Sequence, residues 1–202
     1  MNSTLKYYDH NARPVARRYE SMDFRSAIDR LARMVGEDAR VLELGCGSGR
    51  DAAYLLSLGA HVEATDGSKA MLDEATALHP ELLGRTGQLV LPCVLPYPDG
   101  HFDAVMSWAA LMHLPGDSIP DVMKEIARVT RVGGVMAYAV NTKRPGLDRS
   151  GDDKDGRHFT CLSTTEWERI HTDAGYLTVE SEERADLSRR PGIRWATFFA
   201  RR

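Results

Sequence analysis

A glycine-rich loop is the first feature of the chain whose residue types could carry chemistry. The stretch VLELGCGSGRDA, residues 41 to 52, places Gly45, Gly47 and Gly49 between an apolar, strand-like run and a helix-like segment. Glycine permits positive φ angles and leaves no Cβ between the backbone and a ligand. The start of the following helix offers unpaired N–H groups. The loop therefore indicates a binding site for a nucleotide-like ligand.

The spacing within the loop narrows the class of ligand. A dinucleotide fingerprint, G-x-G-x-x-G, would place its third glycine at position 50, where the chain has Arg50. A Walker A loop needs Gly-Lys followed by Ser or Thr, which this stretch lacks. The loop thus suits a nucleoside better than a pyrophosphate. A nicotinamide-dependent Rossmann oxidoreductase and a non-catalytic, cofactor-binding regulatory module stay open as alternatives.

Two acidic residues lie at the ends of the first two predicted strands. Asp66 ends the strand in HVEATDGS, and a carboxylate there can accept hydrogen bonds from both hydroxyls of a ribose. It could instead cap the helix that starts near Ser68. Glu43 lies at the end of the preceding strand, where burying a carboxylate is costly unless it has a cationic or N–H partner. That partner is either a ligand or a structural salt bridge.

His113 stands just beyond the fourth predicted strand, at the edge where a ligand is expected. Its unperturbed pKa lies near neutrality, so it suits the role of a general base that deprotonates an acceptor. The alternatives are that His113 packs beneath a loop or bonds only to a cofactor. His10 and Tyr8, on the leading helix, are further candidates for the base.

The elements that must position these residues alternate between strands and helices. Hydrophobic periodicity predicts helices at 8–20, 24–35, 50–58, 68–78, 117–131 and 163–174, and strands at 40–44, 61–65, 88–91, 101–108, 135–140, 176–183 and 194–200. This alternation is typical of parallel strands joined by crossover helices. It predicts one doubly wound α/β sheet in a single domain over residues 1–202. Ligands of such sheets bind outside the carboxyl ends of the strands, where the strand order reverses.

The segment 141–160 is polar and rich in glycine and charge, which predicts a solvated, mobile loop or lid. It could help to bind an acceptor through its basic residues, which are Lys143, Arg144, Arg149, Arg157 and His158. An aromatic acceptor could also contact tryptophans. Of Trp108, Trp167 and Trp195, only Trp108 is predicted to lie near the ligand.

The composition excludes several classes of partner. The formal net charge of the 202 residues is -3 at pH 7, which gives no global attraction to nucleic acid. No apolar run approaches the roughly 18 to 20 residues of a membrane span, and the N-terminus lacks the apolar core of a signal peptide. The 3 cysteines are widely spaced, unlike those of a disulfide framework. We therefore expect a cytoplasmic protein with a small-molecule partner and no membrane or nucleic-acid partner. An edge strand near 194–200 leaves the oligomeric state open.

Four motifs in the same order resemble the class I S-adenosylmethionine-dependent methyltransferases. They are VLELGCGSG, VEATDGS, LPYPDGHFDAVMSWAALMHL and IARVTRVGGVMAYAV, and they span about residues 38 to 140. The resemblance implies a Rossmann-like sheet of seven mostly parallel strands, with helices on both faces and the last strand antiparallel. It also implies methyl transfer by in-line displacement from S-adenosyl-L-methionine to an O, N or S nucleophile of a small molecule. S-adenosyl-L-homocysteine would be the product.

The resemblance further implies a cofactor site assembled from several segments. Residues 1–36 would form leading helices that close over the cofactor, through Tyr7, Tyr8 and Arg18. The other expected cofactor contacts are Glu43, Gly45, Cys46 and Gly47 for the methionine part, Asp66, Gly67, Ser68 and Met71 for the ribose and adenosine, Cys93, Val94 and Leu95 for the adenine edge, and Ser107, Trp108 and His113 beside the methionine moiety.

Three departures from related sequences bear on this expectation. The neighbourhood LVLPCVLPY lacks the acidic residue that often accepts from the adenine amino group, and Val132 replaces the usual proline before a glycine pair. The residues at 107–110, Ser-Trp-Ala-Ala, provide neither the amide-holding motif of nucleobase N-methyltransferases nor the Asp and Asn ligands of metal-dependent relatives. We therefore expect no metal and no nucleic-acid substrate.

Overall fold

The strands form one seven-stranded sheet in the computed structural model, which describes residues 2–22, 24–186 and 190–202. The strands are β1 (Arg40–Leu44), β2 (His61–Asp66), β3 (Thr86–Gln88), β4 (Phe102–Trp108), β5 (Thr130–Lys143), β6 (Leu177–Ala185) and β7 (Arg194–Arg201). Their order across the sheet is β3-β2-β1-β4-β5-β7-β6. The first five strands are parallel, and β7 runs antiparallel to both β5 and β6. The predicted fold class is confirmed.

Helices cover both faces of this sheet. They are α1 (Ser3–Glu20), α2 (Arg25–Val35), α3 (Arg50–Ser57), α4 (Lys69–Leu78), α5 (Ile119–Val129) and α6 (Thr164–Asp173). Along β5, Met136 and Tyr138 belong to one hydrophobic cluster, whereas Val135 and Ala137 belong to another. Successive side chains of a strand point to opposite faces, so the two clusters are the cores on the two sides of the sheet.

The topology places the glycine loop at the centre of the carboxyl edge. Strand β1 pairs with β2 on one side and with β4 on the other, so the strand order reverses at β1. The loop that leaves β1 therefore lies at the switch point, where doubly wound sheets bind ligands. The ends of β2 and β4, at Asp66 and Trp108, lie on either side of it.

Several element boundaries differ from the sequence-based prediction. Helix α1 begins at Ser3 rather than near residue 8, because the side chain of Asn2 accepts from the N–H of Thr4 and caps the helix. Strand β3 covers 86–88 rather than 88–91. Strand β5 extends from 130 to 143, because the glycine pair expected to end the preceding helix is accommodated by a register shift beside β4.

The sheet edge also differs from the expectation. The strand near 194–200 was expected at an edge, but β7 is paired on both sides. On this side of the sheet the edge strand is β6, whose residues are mostly exposed.

The segment after β5 packs against the leading helix. The backbone N–H of His158 donates to the hydroxyl of Thr4 across 2.8 Å. An isolated bridge between Asp152 and His158 closes the segment on itself. Helix α1 and residues 144–160 thereby meet above the carboxyl edge of the sheet.

Two kinds of feature are absent from the described residues. Within 2–22, 24–186 and 190–202, no helix combines the length and apolar character needed to cross a membrane. The same residues contain no group of three or more His, Cys, Asp or Glu side chains arranged to hold a metal ion.

Candidate functional site

A cavity of about 350 Å³ lies at the carboxyl edge of the sheet, between the glycine loop and helix α1. It brings together residues that are far apart in the sequence. The residues predicted for the site that line it are Tyr8, Arg18, Glu43, Gly45, Cys46, Gly47, Asp66, Gly67, Met71, Trp108 and His113.

The two predicted serines do not line this cavity. Ser68 is the N-cap of α4: its hydroxyl accepts from the N–H of Met71 at 3.2 Å and donates to Asp9 at 2.6 Å. The hydroxyl of Ser107 donates to the carbonyl of Leu44 at 2.9 Å, within the sheet. Both hydroxyls are thus used by the fold.

The turn predicted to reach the adenine edge also lies outside the cavity wall. Val94 is 77% exposed, and Leu95 is buried in the core. Cys93 is partly buried against the same core. The cavity is lined instead by the apolar run 89–91, which follows β3 directly. Strand β3 ends at Gln88, so residues 89–91 leave the sheet before the proline-rich turn and line the cavity in place of that turn.

Asp66 holds the glycine loop in place. One carboxylate oxygen accepts from the N–H of Gly47 at 2.9 Å and the other from the N–H of Ser68 at 2.8 Å. Burial raises the pKa of Asp66, and these N–H donors oppose that effect. Since Ser68 supplies the side-chain cap of α4, Asp66 does not serve as its N-cap. Each oxygen of an ionised carboxylate keeps a lone pair for a further donor.

Glu43 is buried at the cavity wall without a complete set of partners. It is 1% exposed, and among the described residues its Oε2 has no hydrogen-bond partner. The neighbouring guanidinium of Arg50 pairs with Asp51 at 2.8 Å rather than with Glu43. Burial and then the charge of Asp51 raise the pKa of Glu43 well above its usual value. A ligand that donates to this oxygen would remove the cost of its isolation.

The backbone of the glycine loop leaves no room for side chains. Gly45 has φ of 78°, and a Cβ there would collide with the Cβ of Ala110, in the segment after β4. That segment is itself constrained, because Ala109 has a positive φ of 61°. The close approach of the two loops makes glycine necessary at position 45.

His113 is held between α1 and the segment after β5. Its Nδ1 lies 2.6 Å from the carbonyl oxygen of His158, which can only accept, so Nδ1 carries the proton. Its Nε2 therefore accepts from the hydroxyl of Tyr8, 3.0 Å away. Burial lowers the pKa of His113 to about 4, so the ring is neutral near pH 7. Burial also raises the pKa of Tyr8 well above its usual value, which keeps the phenol protonated.

The far side of the cavity carries residues whose roles the sequence did not specify. Arg144, Arg157 and Phe159, from the segment after β5, line it together with Trp195 of β7. Trp167, by contrast, is fully buried in the core. The cluster of basic residues in 141–160 was the available signal for this side of the site, but it did not single out Arg144 and Arg157.

A family model described as a methyltransferase domain matches residues 41–134. The matched stretch runs from β1 to the first part of β5 and contains the glycine loop, Asp66, Trp108 and His113. The chain belongs to the class I S-adenosylmethionine-dependent methyltransferase family. Family membership favours a methyltransferase over the nicotinamide alternative. Helix α1 and the segment after β5, which supply Tyr8, Arg144 and Arg157, lie outside the matched stretch.

Two curated relatives are similar to this chain over part of their length. The methyltransferase GfsG of Streptomyces halstedii is 35% identical over 113 residues, which cover 54% of this chain and 40% of the relative. An uncharacterized methyltransferase of Synechocystis is 30% identical over 138 residues, or 68% of this chain and 63% of the relative. The matches therefore span less than two thirds of either relative.

A solved structure resembles the fold over almost the whole chain. It is a 1,6-didemethyltoxoflavin-N1-methyltransferase of Burkholderia thailandensis with bound 1,6-didemethyltoxoflavin and S-adenosylhomocysteine. The TM-score is 0.77 at 23% sequence identity, and the alignment covers 96% of this chain and 84% of the neighbour. S-adenosylmethionine is the cofactor of the family.

Proposed function

We propose that the protein transfers a methyl group from S-adenosylmethionine to an O, N or S nucleophile of a small molecule. The observation that carries this proposal is the pair of strand-end carboxylates at one cavity. Asp66 is positioned by two backbone N–H groups, and Glu43 has an oxygen without a partner. A ligand with two ribose hydroxyls and a cationic amino-acid end satisfies both carboxylates.

The residues present fit that cofactor. Asp66 would accept from the ribose hydroxyls with its remaining lone pairs, and Glu43 would accept from the ammonium group of the methionine part. Gly45 and Gly47 leave their backbone uncovered toward the cavity. Arg18, on the exposed side of α1, would lie near the cofactor carboxylate. When bound, the cofactor supplies an activated methyl group on a sulfonium centre.

The protein's contribution is mainly position and exclusion of water. Holding the acceptor in line with the reacting methyl group replaces a bimolecular encounter with an oriented one. Helix α1 and residues 144–160 cover the cavity from the side that the sheet leaves open. We infer that residues 1–36 are leading helices of the methyltransferase domain and close the site.

His113 and Tyr8 form a route for a proton. The acceptor gives its proton to the phenol oxygen of Tyr8, while the phenol gives its own proton to Nε2 of His113. The neutral ring and the 3.0 Å hydrogen bond support this role. An acceptor that needs no deprotonation would use the pair only for positioning.

Three features support a small-molecule acceptor. The cavity volume of about 350 Å³ is in the usual range of small-molecule sites. The structural neighbour from Burkholderia thailandensis is a 1,6-didemethyltoxoflavin-N1-methyltransferase with 1,6-didemethyltoxoflavin bound. The formal net charge of -3 gives no general attraction to nucleic acid.

Calorimetric titration with S-adenosylmethionine, S-adenosylhomocysteine and NAD tests the proposal. We expect both sulfur compounds to bind and NAD not to bind. Labelled methyl transfer to a panel of small O, N and S nucleophiles should then identify the acceptor atom. Binding of NAD in preference to the sulfur compounds would show that the glycine loop serves another ligand.

A further inference from the structure

Arginines outnumber carboxylates on the far side of the cavity, opposite the glycine loop. The cavity there is lined by Arg144, Arg157, Arg184 and Arg190 and by one carboxylate, Asp186. Asp186 is already used: it accepts two bonds from Arg190, at 3.0 and 2.7 Å, and one from the indole N–H of Trp195 at 2.9 Å. It therefore cannot neutralise the other arginines.

Arg144 and Arg157 both bond to the carboxylate of Asp153. Oδ2 of Asp153 accepts from Arg157 at 2.6 Å and from Arg144 at 3.3 Å. All three side chains are nearly buried, with exposed fractions of 8% for Asp153, 10% for Arg144 and 11% for Arg157. A second carboxylate, that of the more exposed Asp155, lies 3.7 Å from Arg157, whereas Arg144 is paired among the described residues only with the shared Asp153. An uncompensated charge in a buried place is costly.

Asp153 interacts more strongly with Arg157 than with Arg144. Burial lowers the pKa of Arg157, but the hydrogen bond that Arg157 donates to Asp153 and the negative charge of that carboxylate contribute to a net upward shift. Burial and then the charge of Arg157 lower the pKa of Arg144. The distances agree with this order, because Arg157 is the closer partner of Asp153. Arg144 is therefore the less compensated cation. Arg157 keeps one unused donor, a buried Nε with no hydrogen-bond partner among the described residues.

The two arginines lie beside the proposed proton route. The guanidinium of Arg144 lies over the ring of Phe159, 3.9 Å from its centroid. The ring of Phe159 packs against His113, with centroids 4.6 Å apart. A group bound to Arg144 would thus lie near the Tyr8–His113 pair, on the acceptor side of the cavity.

We propose that the methyl acceptor is a small anion of the carboxylate class, whose charged group is bound by Arg144 with Arg157. This inference rests on the proposed function. A guanidinium presents its N–H groups in a planar fork that matches a carboxylate, and such charge-assisted bonds are strong. The bound anion gives Arg144 a partner of its own in place of the carboxylate of Asp153, which it shares with Arg157.

Calorimetry with benzoate and its neutral isostere benzamide tests the inference. Each probe is titrated into protein saturated with S-adenosylhomocysteine. We expect benzoate to bind at least about tenfold more tightly than benzamide, as a charge-assisted contact requires. Equal binding of the two probes, or no binding of benzoate, would overturn the anionic acceptor. If S-adenosylhomocysteine itself does not bind, the proposed function fails instead.

Three variants locate the contact. Arg144→Gln should lose the preference for benzoate, and Arg144→Lys, which keeps the charge but not the fork, should retain part of it. Arg149→Gln removes the same charge from an exposed position of the same segment and should bind both probes as the wild type does. S-adenosylhomocysteine affinity, measured in each variant, reports on the fold. A variant at position 144 that loses cofactor affinity while keeping the preference for benzoate would assign the arginine to the cofactor and overturn the inference.

Discussion

The hydroxyl of Tyr8 donates to Nε2 of His113 across 3.0 Å and joins the leading helix to the segment after β4. The opposite nitrogen of the same ring donates to the carbonyl of His158. The imidazole is therefore fixed in one tautomer, with its basic nitrogen toward Tyr8. Any proton that His113 takes from an acceptor through this geometry passes by way of the phenol.

Tyr8→Phe should lower the rate of methyl transfer to an acceptor that must lose a proton. The substitution keeps the ring and removes the hydroxyl that donates to His113 and that, in the proposed mechanism, would take the proton of the acceptor. We expect kcat to fall by roughly 10²-fold or more, the usual range for a general base. The affinity for S-adenosylhomocysteine should change little. Tyr7→Phe, on the same helix, is the matched control, because Tyr7 does not line the cavity. Equal rates in wild type and Tyr8→Phe would show that the Tyr8 hydroxyl takes no part in the reaction.

Asp66→Asn should weaken cofactor binding. The neutral amide loses charge-assisted bonds worth about 1.5–3 kcal/mol each, so affinity should fall by at least tenfold. It also turns an N–H group toward the N–H of Gly47 or Ser68, so some stability should be lost. Calorimetry and thermal unfolding measure the two effects. Asp73→Asn, on the exposed face of α4, is the control. Unchanged affinity in Asp66→Asn would exclude the ribose contact.

Gly45→Ala should destabilise the protein more than Gly59→Ala. Both glycines have positive φ, 78° and 91°, so each alanine costs about 1–2 kcal/mol in backbone strain. The added Cβ collides with Ala110 only at position 45, since nothing lies within 4 Å of a Cβ at position 59. Urea denaturation measures both changes in the free energy of unfolding. Equal losses in the free energy of unfolding would mean that the loop after β4 moves away from the added Cβ at no energetic cost.

Acidification should destabilise the protein through His113. Its pKa is about 4 in the folded protein and 6.5 in the absence of burial. Between these values the unfolded chain binds a proton that the folded protein does not, so stability falls as the pH falls. The contribution between pH 7 and pH 5 is on the order of 1–2 kcal/mol.

Denaturation of His113→Gln at both pH values checks this contribution. The variant should lose less stability on acidification than the wild type does. His10→Gln, on the exposed face of α1, should behave as the wild type. An identical pH dependence in wild type and His113→Gln would contradict the assignment.

The cofactor half of the site could be predicted from the sequence because its residues lie in or beside strands. Gly45 and Asp66 directly follow or end the adjacent strands β1 and β2. In a doubly wound sheet, the carboxyl ends of parallel strands meet at one edge, so their positions follow from periodicity alone. The serines at 68 and 107 were placed at the correct edge, but periodicity does not specify which backbone group a hydroxyl will bond.

The acceptor side of the site could not be predicted in this way, because its residues lie in segments without hydrophobic periodicity and meet only in the folded protein. Tyr8 and His113 are 105 residues apart, and Arg144 and Arg157 meet at Asp153 because the segment after β5 closes on itself. The sequence by itself determined the sheet, its switch point and the loop that a nucleoside can approach. The tertiary structure alone decided which buried charges are paired and which are not, because charge balance in a cavity depends on side chains brought together by packing rather than by spacing along the chain.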